Sequence, residues 1–383
     1  MLSRKALCGK DQVIEQSPEI VVVGGGLAGS SAAILLARAG RGVLLIEKEA
    51  KPQHKVCGEF LSVEALTYLR SLGVHAEAFG AVPIRSVRLA GRLGVSETQL
   101  PFEAMSLTRR TLDEELLRLA AEAGAQVLRG CQVLNLEKEQ SQWSVRLQNN
   151  SSITSPVAFF ATGKHDLRGQ SPRAGVHADL IAFKMYWKLT SPQMEELSDH
   201  VELNLYHGGY AGLQPVEEGA VNLCCLVSRS RFQRLGSRWE ALLHAMQEES
   251  PLLKRRLSGA EPLLSRPLAI SAIPYGFVRE HSAGVWALGD QAAVIPSFTG
   301  DDMSIALHSG RLAAEMYLRG ETAKVFQRKL HDDLRKQVSF ATMLSRGLVT
   351  EPQKTLLEGA VQFWPGLLKI VANRTRVSMR SAL

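Results

Sequence analysis

Glu19-Ile20-Val21-Val22-Val23-Gly24-Gly25-Gly26-Leu27-Ala28-Gly29, an alanine- and leucine-rich stretch to Ala39, and then Gly42-Val43-Leu44-Leu45-Ile46-Glu47 decide the fold. The uninterrupted β-branched run is the pattern of a strand buried on both faces of a parallel sheet. Gly24, Gly26 and Gly29 stand at the spacing G-x-G-x-x-G. The first permits a tight turn, the second lets a pyrophosphate approach the backbone, and the third lets the helix pack close to the strand. Leu27 and Ala28 stand inside the fingerprint, ahead of a helix over Ser30 to Ala39 whose free N–H groups and positive end face the pyrophosphate. Gly40 suits a helix end. Val43 to Ile46 predicts a second strand. It ends in Glu47, about 20 residues past the glycines, where a carboxylate accepts from both hydroxyls of a ribose, and Lys48 follows. A glycine fingerprint alone is a weak signal, because a glycine-rich βαβ turn can bind nothing. Strand, turn, helix, strand and terminal acid in register predict a dinucleotide site.

At 383 residues the chain can bury a large core and form two intimately connected domains. No stretch approaches the ~18 uninterrupted apolar residues of a membrane-spanning helix. Residues 1–18 carry Arg4, Lys5, Lys10 and Asp11 without an apolar core, which argues against a secretion signal. The five cysteines include no metal-like pair of C-x-x-C motifs. No metal is expected, and reduced thiols in a cytoplasmic compartment are the simplest account. A formal net charge of +7 without a dense basic stripe suits anionic cofactors or a membrane surface rather than nucleic acid.

The polar stretch after Glu47 lacks periodicity and leaves the carboxyl end of a parallel strand, the place of a ligand crevice. Lys55, Cys57 and Gly58 are therefore site candidates, ahead of a helix over Ser62 to Leu72 closed by Gly73. Weak alternation from Val82 to Phe102 predicts antiparallel strands. Thr111 and Glu114 resemble a capping box, which places Arg109 just before a helix, within reach of a phosphate or ribose. Ala125 to Leu136 predicts one strand, carrying Val133, and Trp143 to Leu147 another. Pro156 to Gly163 predicts the return of the parallel sheet, with Gly163 close to a bound nucleotide. Ile181–Leu189, Val201–Tyr206 and Val221–Val227, with a helix over Arg238–Glu248, predict an inserted antiparallel sheet. Its aromatic residues suit the wall of a pocket for an apolar or aromatic small molecule. Gly289-Asp290 then follows an apolar run, and Pro296 and Gly300-Asp301-Asp302-Met303 precede a helix to about Leu318. Asp290 can accept from ribityl hydroxyls. N–H groups near Asp302 and Met303 can meet negative charge developing on a ring.

Three pieces stand in order: Gly24 to Gly29 with Glu47, the Arg109-x-x-Leu112-Asp113 helix start, and Gly289-Asp290 with Pro296 and Gly300. This set resembles the p-hydroxybenzoate hydroxylase-like flavoproteins, which include aromatic monooxygenases, flavin halogenases and geranylgeranyl reductases. The resemblance covers residues 18–345, and Lys55-Val56-Cys57-Gly58 is most similar to the geranylgeranyl reductase branch. It implies FAD, with Glu47 on the adenosine ribose, Arg109 on the cofactor and Asp290 at the ribityl–phosphate region. The backbone after Gly300 would face the pyrimidine end of the flavin, and Cys57 would enter the active site. The implied fold is α/β. A Rossmann-type FAD-binding domain (18–82, 103–177 and 268–337) carries an inserted antiparallel-sheet substrate domain (83–102 and 178–267). An N-terminal extension (1–17) and a C-terminal helical segment (338–383) complete it.

Two departures shape the functional expectation. Geranylgeranyl reductases carry Tyr-x-Trp-x-Phe-Pro where this chain has Tyr210-Ala211-Gly212-Leu213-Gln214-Pro215. The exchange opens space and adds an amide, so the ligand is expected to differ from a simple prenyl chain. The hydroxylases' Asp-Gly motif is replaced by Ala161-Thr162-Gly163-Lys164-His165-Asp166, which leaves open whether NAD(P)H donates electrons directly. The halogenases' Trp-x-Trp-x-Ile motif is absent, and no lysine stands between Lys55 and Lys138. The resemblance thus implies, foremost, a cytoplasmic monooxygenase of secondary metabolism. It would hydroxylate an aromatic, polyketide-like or lipidic molecule through a flavin hydroperoxide shielded from water. His207 and Tyr210 are candidate bases on the substrate sheet. The alternatives are a reductase or dehydrogenase of lipid C=C bonds with Cys57 beside the flavin, a halogenase, and a flavin-bearing regulatory protein. The tail holds Phe363-Trp364-Pro365, then Arg374, Arg376 and Arg380, with no acid after Glu358. It reads as a helix packed on the flavin domain or as a peripheral contact with an anionic membrane.

Overall fold

The computed structural model describes residues 17–167, 173–176 and 178–377. The first half runs β1 (Ile20–Val23), α1 (Leu27–Arg38), β2 (Val43–Glu47), β3 (Phe60–Leu61), α2 (Val63–Leu72), β4 (Val82–Gly91), β5 (Gly94–Ser106), α3 (Arg109–Glu122), β6 (Gln126–Arg129), β7 (Val133–Glu139), β8 (Gln142–Leu147), β9 (Ser152–Ser155) and β10 (Val157–Phe160). The second half runs β11 (Leu180–Lys188), α4 (Ser191–Leu197), β12 (His200–Tyr206), β13 (Gly209–Pro215), β14 (Val221–Ser228), α5 (Arg229–Arg234), α6 (Trp239–Glu249), α7 (Pro251–Arg256), β15 (Glu261–Pro262), β16 (Leu268–Ser271), β17 (Trp286–Ala287), α8 (Asp302–Leu318), α9 (Ala323–Val349), α10 (Gln353–Phe363) and α11 (Leu367–Arg374).

The fold is the α/β architecture expected. The parallel sheet has the order β17-β10-β1-β2-β6, and every residue of β1 and β2 is buried. Burial on both faces is why these strands are apolar without alternation. A second sheet runs β15-β11-β14-β13-β12-β4-β5-β3, with β16 on β11. Its strands do alternate. Ala211 and Leu213 of β13 pack towards α6 and α7, while Tyr210, Gly212 and Gln214 face the opposite way and line a cavity. The 83–102 hairpin belongs to this sheet, since β4 pairs with β12 in parallel. A three-stranded sheet β7-β8-β9 packs against the parallel one.

Local readings differ from the sequence expectation at three places. Helix α3 starts at Arg109, and its cap is Thr108, whose Oγ1 accepts from the Thr111 N–H at 3.3 Å. Glu114 pairs with Arg129 at 2.6 Å and closes no capping box. The single strand expected over 125–136 is two strands in different sheets, because Gly130 takes a left-handed turn at φ +68°. Cys131, just after it, is disulfide-bonded, so the expectation of reduced thiols holds for Cys57, Cys224 and Cys225 and not for every cysteine. Helix α9 runs unbroken through 337 and 338, and Phe326, Leu330, Leu334, Val338 and Ala341 seat it on the core beneath the parallel sheet.

Helices α1 and α8 cross at backbone contact. A Cβ on Gly310 would lie 2.4 Å from the Ala28 carbonyl oxygen and 3.1 Å from Ser31 Cβ. Helix propensity favours alanine over glycine by about 1 kcal/mol, whereas overpacking against atoms that cannot move costs about 1–3 kcal/mol or more. Gly310→Ala is therefore expected to lower the melting temperature by at least ~2 °C. An unchanged or raised melting temperature would show that the crossing relaxes.

Candidate functional site

The glycine loop divides its labour as its spacing requires. Gly24 sits at φ +106°, and a Cβ there would meet the Ala161 carbonyl oxygen at 2.3 Å. A Cβ on Gly29 would fall 1.9 Å from the Gly24 oxygen. Gly26 differs, because its missing side chain leaves open space whose nearest atoms are Arg109 Nη2 at 3.4 Å and Lys55 Nζ at 3.9 Å. Asp113 holds both cations, with Lys55 at 2.7 Å and Arg109 at 2.9 and 3.0 Å. Burial works against the Asp113 charge, yet the two cations hold its carboxyl below the usual range. The loop thus offers free N–H groups and two fixed positive charges, the donor set for a pyrophosphate.

Glu47 is buried at the end of β2. It accepts from the Gly25 N–H at 2.7 Å through one oxygen and from the Glu49 N–H at 3.0 Å through the other. Each oxygen keeps a lone pair for a ribose hydroxyl. Opposite, Asp290 pairs with Lys164 at 3.3 Å. These groups line a cleft of about 520 Å³. Of the candidates from sequence, Gly24, Gly26, Leu27, Ala28, Glu47, Lys48, Lys55, Arg109, Val133, Gly163, Asp290, Asp302 and Met303 all reach it. His54 and Lys164 line it too. Burial, Lys184 and Arg110 push the His54 imidazole down to about 4, so it is neutral at physiological pH.

A second cavity of about 170 Å³ begins where the first ends, and Asp302 borders both. Gly58, Gly300 and Tyr210 line this second space. Its wall is otherwise mostly apolar, from Leu89, Phe102, Leu203 and Leu226 on the sheet to Leu344, Leu348, Leu357 and Val361 on α9 and α10. Gln214, Cys224 and Arg376 interrupt it.

The structure does not bring every candidate to these cavities. His207 sits at the β12–β13 turn with its side chain 44 % exposed, 4.0 Å from Glu351, and lines neither cavity. Tyr210 lines the apolar cavity, but its hydroxyl accepts from the Phe298 N–H at 3.1 Å, and burial pushes its pKa well up. Burial thus favours its phenol over its phenolate. Cys57 lies just behind the wall, its thiol 3.6 Å from Asp302 Oδ2 and pushed up to about 12, chiefly by burial. Burial thus favours its thiol over its thiolate. Pro296 shapes the turn before Gly300, its carbonyl accepting from Thr299. Asp301 is fully buried and ties that turn to the tail, accepting from Gln337 Nε2 at 2.6 Å and the Val377 N–H at 2.9 Å.

Sequence reasoning missed the network behind this junction. Glu59 and Lys184 are both fully buried, 2.6 Å apart, an ion contact off the axis of a directed hydrogen bond. Glu59 also accepts from the Arg109 N–H at 2.8 Å, the Tyr186 hydroxyl at 2.8 Å and Asn222 Nδ2 at 3.1 Å. The available signal was a lone lysine inside the apolar run Leu180 to Trp187, because an unpaired lysine is almost never buried.

The cradle at Gly26, the fixed cations and the ribose-facing carboxylate fit a dinucleotide with a pyrophosphate centre. A family model for an FAD binding domain matches residues 17–155. The chain belongs to the FAD-dependent oxidoreductase superfamily. This flavoenzyme is 28% identical over 359 residues to a menaquinone reductase of Mycobacterium tuberculosis, covering 89% of this chain and 86% of the relative. It is 26% identical over 317 residues to digeranylgeranylglycerophospholipid reductase 2 of Methanopyrus kandleri, covering 78% and 76%. In fold it is similar to the flavin-dependent brominase Bmp2, with a TM-score of 0.77 at 21% identity, covering 94% and 93%. FAD is its cofactor.

Three variants probe the scaffold of the flavoenzyme. Removing one member of a buried ion pair leaves an uncompensated charge and costs about 3–5 kcal/mol. Lys184→Met is expected to lose that much in denaturant unfolding, and Glu59→Gln with Lys184→Met to regain most of it. A double variant no better than the single one would show that the pair is not the source. Asp301 supplies a pH test. Burial raises its pKa to about 7, against about 3.9 when unfolded. Its contribution is fully present below pH ~4 and is lost as pH rises through about 7. Asp301→Asn keeps the acceptor for Gln337 and Val377, so the melting temperature of the wild type should fall relative to this variant between pH 5 and 8. Parallel profiles would refute the assignment.

Proposed function

We propose that this flavoenzyme reduces a C=C bond in a lipidic small molecule that carries an oxygen at one end. One observation carries the reading. The apolar cavity shares Asp302 with the cofactor cleft and is lined by Gln214, with leucine and valine side chains of α9 to α11 completing its wall. Gln214 is buried, and its Nε2 lacks a hydrogen-bond partner among the described residues. A buried amide donor of this kind favours a ligand with an acceptor oxygen, because leaving it unmade costs about 1–3 kcal/mol.

Saturating a C=C bond requires a hydride on one carbon and a proton on the other. FAD, when bound and reduced, supplies the hydride, with NAD(P)H as the proposed electron source. The chain supplies the proton path. Asp302 is the acid among the described residues lining the apolar cavity, and the neutral Cys57 thiol donates to its Oδ2 and orients it. Hydroxylation of a phenol would call for a base. His207 is outside the cavity and the Tyr210 hydroxyl is engaged by the Phe298 N–H, so Asp302 is the group placed for proton transfer in either reaction. The two relatives named as reductases support the same reading.

The test is anaerobic. The FAD-loaded chain, reduced with one equivalent of dithionite, is mixed with a menaquinone of short side chain. The expected outcome is flavin reoxidation without oxygen and a product that stays two mass units heavier after any quinol has been reoxidised in air, so that the added hydrogens lie on a former C=C bond. A product whose added mass is lost in air would show ring reduction alone and overturn the reading. A product that forms only in air and gains one oxygen atom would sink the reductase reading. Gln214→Leu is expected to raise KM about tenfold or more with a smaller change in kcat.

A further inference from the structure

Helices α10 and α11 form the outer wall of the apolar cavity, and they carry large apolar side chains on both faces, the outer one interspersed with polar residues such as Gln353 and Asn373. Leu357, Val361, Leu368 and Val371 point inward and line it. Leu356 is 76 % exposed, Phe363 94 %, Trp364 55 % and Ile370 37 %, all facing outward. The hairpin tip of β4 and β5 extends the same surface. The Gln362 amide bonds the Leu93 carbonyl at 2.6 Å, and Leu93 and Val95 are themselves 46 % and 51 % exposed. A surface helix normally turns a polar face to water. A contiguous apolar surface of this kind marks a contact.

Charge selects the partner. Arg92 at the hairpin tip, Lys369 and Arg374 are exposed beside the apolar side chains. No acid follows Glu358 in the sequence, and Glu358 itself is buried against Gly91. Aromatic and leucine side chains rimmed by cations match an anionic lipid surface, where such a face sinks to the headgroup–acyl boundary. Continuity with the cavity points the same way, because only the thickness of α10 and α11 separates the exposed apolar face from the apolar interior. Among the described residues no helix is long and apolar enough to cross a membrane, so the contact is peripheral.

We propose that α10, α11 and the β4–β5 tip dock on an anionic membrane, which places the outer wall of the substrate cavity at the lipid surface. The proposal stands apart from the reaction, since sedimentation reads no turnover. The FAD-loaded full chain is expected to pellet with phosphatidylcholine vesicles containing phosphatidylglycerol and far less with phosphatidylcholine alone. Leu356→Ser with Phe363→Ser should lower partitioning roughly tenfold or more while leaving bound FAD and the circular dichroism spectrum unchanged. Lys369→Glu with Arg374→Glu should remove the preference for anionic vesicles. A wild type that stays in the supernatant with both compositions would overturn the proposal. So would a concentration-dependent dimer, dissolved by Leu356→Ser with Phe363→Ser and blind to vesicles, which would assign the face to a second copy of the chain.

Discussion

Glu59 enters a fully buried position on a backbone at φ +62°, a conformation rare for a long side chain. Its carboxylate meets Lys184 from β11, Tyr186 from the same strand, Asn222 from β14 and the first N–H of α3. Four segments far apart in the chain are therefore held at one point by charge that water cannot screen. Desolvation alone would make this arrangement unfavourable. It persists because the carboxylate oxygens have several donors around them and because the lysine lies over the Tyr186 ring, 4.5 Å from its centroid. That point fixes the 55–59 loop between the cofactor cleft and the substrate sheet.

From there the two cavities follow. The 55–59 loop carries Lys55 to the pyrophosphate side and Gly58 to the apolar side, while Cys57 between them faces Asp302. The start of α8 closes the junction from the opposite direction. Asp301 does not enter either space. It anchors Gln337 of α9 and the backbone of Val377, and Arg376 beside it pairs with Glu64 over the ring of Phe102. The roof formed by the C-terminal helices is thus tied to the same turn that borders the cofactor cleft.

The chemistry is set by scarcity of polar groups. In the proposed reaction the one amide and the one carboxyl among the described lining residues would orient the ligand, and hydrocarbon contacts would retain it. Burial in such surroundings favours the neutral thiol of Cys57 and the neutral phenol of Tyr210. The same logic explains why aromatic bulk is missing from β13 at Gly212, whose Cβ would meet only atoms at 3.7 Å or beyond. Space and one hydrogen-bond donor replace a close-fitting wall.

The nucleotide half was legible in the sequence because its demands are local. Gly24 and Gly29 are required by close approaches within one βαβ unit, and Glu47 ends the very next strand, so spacing alone places them. The apolar sheet strands and α2, with Ser62 at one end and Gly73 at the other, were legible for the same reason. The start of α3 was misplaced because Thr108 and Thr111 offer equally plausible caps until tertiary contacts choose. His207 looked suited to catalysis by residue type, and only strand geometry shows it at a turn facing Glu351. Glu59, Lys184 and Asn222 meet across more than a hundred residues, and Asp301 reaches a tail that periodicity describes only as helical. By itself, then, the sequence determined the cofactor cradle and the class of fold. The tertiary structure decided where that cradle opens into an apolar chamber and which helices wall it, because buried charges find their partners through packing between distant segments and not through spacing along the chain.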